Sequence, residues 1–311
     1  MLMKTKSKKR YMVRAQLLLL LLFGNLSVAN AENRQMKGEG GVRVNYLEKL
    51  ENESKRLMQA GKRKEALEAL VAAEKHAVED RERQRLSGKR RLYAEQFLRT
   101  DSFEKYQAAK VAAGSLNGGE CLSEIEKIEK GDQDNIQTIV LKGHCYSLLD
   151  KKVEAERLFE LALETVPNYT DAALEYSELL LGQKKLPKIG ALLSGVRPNT
   201  IRDENRLIVL KSRHLEAQGK SKEAAEYLKK EYNGAIDRSQ VLLELGELYF
   251  RISEEGSIES AWQARKYLTL FQKRCQSSAE IEMALKPSNR ECTQIEVLVG
   301  KLDKKLNQTP K

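Results

Sequence analysis

His144 and Cys145 are the one neighbouring histidine and cysteine in this 311-residue chain, and together they could ligate a metal or take part in redox chemistry. Adjacent residues on a helix point about 100° apart, so two ligands at that spacing would not face one ion. The other histidines, His76 and His214, fall in separate segments, and no His-Glu-x-x-His spacing occurs. The sequence also lacks a Cys-x-x-Cys pair, a Gly-x-Ser-x-Gly elbow and a Gly-x-x-x-x-Gly-Lys-Ser phosphate loop. Its many carboxylates recur at helical spacing beside Lys and Arg, which suits surface pairing better than acid and base work. These residues point away from catalysis. No catalytic residue, metal ion or cofactor is expected, and the chain reads as a non-enzyme.

The elements that would position any site are helical. Within residues 136–169, Gly143 stands three before Tyr146, Ala155 stands four before Phe159, and Ala162 and Pro167 follow. Gly143 and Ala155 lack bulk where two backbones must come close, Tyr146 and Phe159 fill the space beside them, and Pro167 stops the second helix. The pattern resembles the tetratricopeptide repeat (TPR), Leu-Gly-x-x-Tyr then Ala-x-x-x-Phe then Pro over about 34 residues, with Lys142 departing from the expected Leu. It returns in phase as Leu245-Gly246-Glu247-Leu248-Tyr249. Weaker copies occupy 170–203, with Tyr176, Leu180 and Leu193, and 205–238, with Leu215, Gly219, Ala224 and Leu228. A further copy spans 47–80, with Leu50, Leu57, Gly61, Ala66, Leu70 and Ala73. The resemblance implies an all-α, TPR-like α-solenoid of stacked antiparallel helix pairs, closed by a C-terminal capping helix from about Glu291 to Leu306.

Residues 1–31 read as a secretory signal peptide: six cations from Lys4 to Arg14, an apolar run from Leu17 to Phe23, and small residues Ala29 and Ala31 before the cut. The apolar run is well short of the roughly 20 residues that span a bilayer, so no transmembrane span is expected. The expected location is the periplasm or cell envelope. Export also changes the meaning of the formal charge of +10, because removing six cations leaves +4 and takes away the argument for nucleic acid. Residues 32–44, with three Gly, read as a flexible leader. Degenerate helical repeats are expected over 45–135, the TPR-like array over 136–274, and cap helices with a tail over 275–311.

Two points stay open before residue 136. The segment 81–99 carries Arg81, Arg83, Arg85, Lys89, Arg90 and Arg91, which reads either as a solvated helix face or as a weak membrane-surface contact through 81–91. Residues 102–135 phase either as one repeat broken at Asn117-Gly118-Gly119, or as a helix paired with 81–99 that leaves 120–130 unpaired. Export to an oxidising compartment and closeness in sequence pair Cys121 with Cys145, which the single-repeat phasing sets on touching helices, and Cys275 with Cys292; the alternative is four buried free thiols. Each bond would be worth roughly 3 kcal/mol.

The resemblance also implies where a partner would sit. In TPR-like arrays the first helix of each hairpin lines a concave face through its second, fifth and ninth residues. Carried onto this chain, these are Gln137, Val140 and His144; Asp171, Leu174 and Glu178; Arg206, Val209 and Arg213; and Gln240, Leu243 and Glu247. The middle member is aliphatic each time, an apolar stripe suited to an amphipathic helix or an extended hydrophobic peptide. Alternatively the stripe packs inside the array or lies under the C-terminal helix. The function implied is a scaffold for an envelope protein or peptide. The alternative is a repeat-framed enzyme or carbohydrate-binding subunit of cell-wall metabolism, which would call for aromatic platforms.

Overall fold

The computed structural model describes residues 40–233, 236–276 and 288–308, so the signal segment, most of the leader, Pro287 and Pro310 lie outside the described residues. Fourteen α-helices and two short 3-10 turns account for the described secondary structure, and no strand occurs among those residues. The chain divides into two compact units at Tyr93 and Ala94.

The first unit contains α1 (Gly40–Gln59), α2 (Arg63–His76) and most of α3 (Asp80–Glu95). Helix α1 begins at Gly40, inside the segment 32–44 read as a leader. Leu47, Met58, Leu67, Leu70 and Leu86 are buried there. The basic face of α3 is largely spent inside the unit. Arg85 grips Glu51 with two hydrogen bonds of 2.6 and 2.8 Å, and Lys89 adds a third of 2.9 Å. Arg90 pairs with Glu74 at 3.1 Å, and Arg83 with Asp80 at 2.9 Å. The hydrogen bond from Arg85 holds the Glu51 carboxyl at about 2. Four of the six cations in 81–91 thus face carboxylates of their own unit.

The second unit is a stack of five helical hairpins: α4 (Thr100–Gly114) with α5 (Gly118–Glu126), α6 (Ile136–Leu148) with α7 (Lys152–Thr165), α8 (Thr170–Gly182) with α9 (Leu186–Gly195), α10 (Ile201–Ala217) with α11 (Ser221–Tyr232), and α12 (Ser239–Glu254) with α13 (Ile258–Gln276). The single-repeat phasing of 102–135 is the one observed, since α5 packs on both α4 and α6 around Ala109, Ala112, Ile125 and Ile128. One turn chemistry recurs between the helices of each hairpin. A residue with positive φ closes it: Leu116, Asp150, Lys184, Gly219 and Gly256, which are 34, 34, 35 and 37 residues apart. In the first four hairpins the next amide bonds back five residues, as Lys151 N to Tyr146 O at 2.9 Å and Lys185 N to Leu180 O at 3.0 Å. That bond satisfies a carbonyl the helix end would otherwise orphan. The wider last spacing comes from a longer α11 and a longer connection to α12 rather than from a longer turn.

Small residues set the approach of the paired helices. A Cβ on Gly143 would come within 2.7 Å of the Phe159 ring, and one on Gly246 within 2.5 Å of Leu268. Phe159, Ala155 and Leu268 are fully buried. Helix α14 (Asn289–Asn307) closes the stack against α13, burying Ile295, Leu302 and Leu306. It starts with a capping box formed by Ser288 and Glu291. Cys275 and Cys292 tie it to α13 with Cα atoms 5.9 Å apart, and Cys121 and Cys145 tie α5 to α6 at 5.8 Å.

Candidate functional site

The first helices of the second unit, α4, α6, α8, α10 and α12, line one side of the stack and enclose a groove of about 640 Å³. Each helix presents residues spaced three and four apart, the spacing that keeps side chains on one face. Helix α6 contributes Gln137, Val140, Leu141 and His144; α8 contributes Asp171, Glu175 and Glu178. Helix α10 supplies Arg202, Asp203, Arg206, Val209, Leu210 and Arg213, and α12 supplies Gln240, Leu243, Glu244 and Glu247. Tyr106 and Lys110 of α4 and Glu291 of α14 stand along the same lining.

Eleven of the twelve residues expected at the groove line it, and Leu174 does not. It is fully buried in the core. With about 100° per residue, the second, sixth and ninth positions of α8 cluster within about 60° while the fifth lies some 60° from the second, at the edge where neighbouring helices meet. The same arithmetic explains what position counting missed. Glu175 and Glu244 are sixth residues, inside the arc that faces the groove. Arg202 and Asp203 lie on an extra N-terminal turn of α10, which starts at Ile201 and is capped by Thr200 accepting from Asp203 N at 3.1 Å. The expected apolar stripe is therefore interrupted, and the groove is lined by seven carboxylates against four Lys and Arg.

Two chains of ion pairs cross it. His144 Nδ1 lies 2.8 Å from Glu175 Oε2, and Arg206 reaches Glu175 at 2.7 Å and Glu178 at 2.6 Å. Burial works to raise the Glu175 carboxyl, but the hydrogen bond from His144 and the charge of Arg206 outweigh it and leave it at about 2. In return the Glu175 hydrogen bond raises the His144 imidazole above its usual value. Farther along, Arg213 donates to Glu244 at 2.9 and 2.6 Å, Arg251 donates to the same carboxylate at 2.9 Å, and Arg251 also clasps Glu216 at 2.7 and 2.8 Å. Asp171 and Glu247 are pushed up instead, first by burial and then by the negative charges of Asp203 and Glu244 respectively.

His144 and Cys145 do turn apart: the imidazole lines the groove, while Cys145 is buried at bonding distance from Cys121. His76 packs edge-on to Tyr46 in the first unit, and His214 meets Gln218 at 2.8 Å. Among the described residues no group of three or more His, Cys, Asp or Glu is placed to hold a metal ion, and no helix is long and apolar enough to cross a membrane.

No protein-family model matches the chain, and no curated protein does. Solved structures do match. One, described as MamA MSR-1 C2, is 16% identical, has a TM-score of 0.39, and covers 56% of this chain and 97% of that one.

Proposed function

We propose that this chain is a non-enzymatic scaffold, exported to the periplasm or cell envelope, which holds a protein or peptide partner in the groove of its second unit. The observation that carries the reading is the groove: five successive hairpins present the same helix face to one concavity, lined by polar groups that order one another rather than by groups converging on a reacting atom. Export rests on the basic, apolar and small-residue order of residues 1–31, and the two cysteine pairs at bonding distance suit an oxidising compartment. A carbohydrate-binding role is less well supported, since Tyr106 is the one aromatic ring along the lining among the described residues.

Two measurements test this. Protein from its native envelope should begin at Glu32, and an intact Met1 in a cytoplasmic fraction would overturn export. A photo-crosslinking side chain at Val209, in the groove, should capture a discrete protein in the envelope, whereas one at Leu161, exposed on α7, should not. Equal capture from both positions, or none from Val209, would remove the groove from the proposal.

A further inference from the structure

We infer that the segment held in this groove is basic and extended, with Lys or Arg side chains about two helix spacings apart. This rests on the scaffold reading and adds the chemistry of the partner. The charge inventory of the lining is uneven. Arg206 and Arg213, the cations at its centre, are already held by carboxylates of the chain at 2.6 to 2.9 Å. Four other carboxylates that line it, Asp171, Asp203, Glu247 and Glu291, have no ion-pairing cation among the described residues, against two lining cations, Lys110 and Arg202, without an ion-pairing carboxylate. Burial first, and then repulsion by the negative charge of Asp203 across α8 and α10 and of Glu244 within α12, make Asp171 and Glu247 bind protons more readily. A cation brought by an occupant relieves that repulsion in a groove whose low-dielectric walls strengthen the attraction. An anionic occupant would worsen it.

Shape selects an extended chain. Asp171 on α8 and Glu247 on α12 are separated by α10, and packed helix axes lie 8–10 Å apart, so the two sites are roughly 16–20 Å apart. An extended chain rising about 3.3 Å per residue covers that span in about six residues. A helix, rising about 1.5 Å per residue, would need about twelve residues to bring two cations to the same places.

The test is fluorescence anisotropy with a labelled octapeptide of Gly and Ser bearing Arg at its first and seventh places, beside counterparts bearing Glu or Leu there. The Arg peptide should bind the full mature protein at least tenfold tighter than either counterpart and should weaken as salt is added. The variant D171N/D203N/E247Q, which keeps every side-chain shape, should lose at least tenfold in that affinity while its thermal unfolding is unchanged. Equal or tighter binding of the Glu or Leu peptide, or undiminished binding by the variant, would overturn the basic assignment and leave the scaffold reading in place. Failure of all three peptides would also overturn it, and the scaffold reading would still be judged separately by crosslinking from Val209.

Discussion

Helices α6 and α12 each have two working faces, and the faces obey different rules. Toward the hairpin partner the rule is volume: Gly143 admits the Phe159 ring, Gly246 admits Leu268, and neither leaves room for one more carbon. Toward the groove the rule is charge: His144, Glu175 and Arg206 form one chain, and Arg213, Glu244 and Arg251 form another. The first face has no surplus, because close packing fixes it. The second has unpaired carboxylates left over, which is where room for another molecule arises.

Substitutions can break this contrast, beginning with the largest expected effect. Phe159→Ala should lower unfolding free energy by about 3–5 kcal/mol in denaturant titration, since the residue is fully buried and opposite a glycine. A loss below about 1 kcal/mol would mean that the packed face is as tolerant as the groove. Gly246→Ala should cost about 1–3 kcal/mol, because the new Cβ meets Leu268 at two side-chain carbons and approaches its backbone nitrogen at 3.3 Å.

Glu175→Gln should cost about 1–2 kcal/mol by unpairing Arg206 and His144, and it should also flatten a pH dependence. His144 binds its proton more tightly when folded, so its contribution is complete below 6.5 and is lost as pH rises through the raised value. Glu175 is shifted the other way, so its contribution is complete above 4.5 and is lost as pH falls toward about 2. Melting temperature should therefore show a term that is greatest between 4.5 and 6.5 in the parent and absent in the variant. An unchanged profile would show that the pair orders nothing.

Lys184→Gly should stabilise by roughly 0.5–1 kcal/mol, since φ is +58° there and the side chain strains a conformation that glycine adopts freely. Gly219→Ala, at the equivalent turn with φ of +79°, should do the reverse. Smallest of all, D171N/D203N/E247Q should stay within about 0.5 kcal/mol of the parent. A large loss would show that those carboxylates support the fold rather than await a partner.

The packed face was legible in the sequence because a small residue opposite a large one has a single steric meaning: Gly143, Ala155 and Phe159 announce the hairpin wherever they recur. Both cysteine pairs were legible too, since the phasing that set Cys121 and Cys145 on touching helices is the phasing observed. The groove was half legible. Counting second, fifth and ninth places found most of the lining but included Leu174, whose fifth place turns to the edge where helices meet, and passed over Glu175 and Glu244, whose sixth place turns to the groove. Helix α10 begins earlier than its repeat phase, which hid Arg202 and Asp203. The basic run on α3 was ambiguous for another reason: its partners Glu51 and Glu74 lie far away in the sequence, and only folding brings them near.

Both cross-links are local, spanning 24 and 17 residues, each less than one hairpin period. A mispaired bond between Cys145 and Cys275 would have to close a loop of 130 residues. The extra chain entropy disfavours it by about 1.5 kcal/mol, more than tenfold, even before any helix has packed. The order in which the thiols appear reinforces this, because Cys145 follows Cys121 while the third and fourth cysteines are still unmade. A chain emerging from its N-terminus can thus be oxidised correctly repeat by repeat, with little demand on an isomerase.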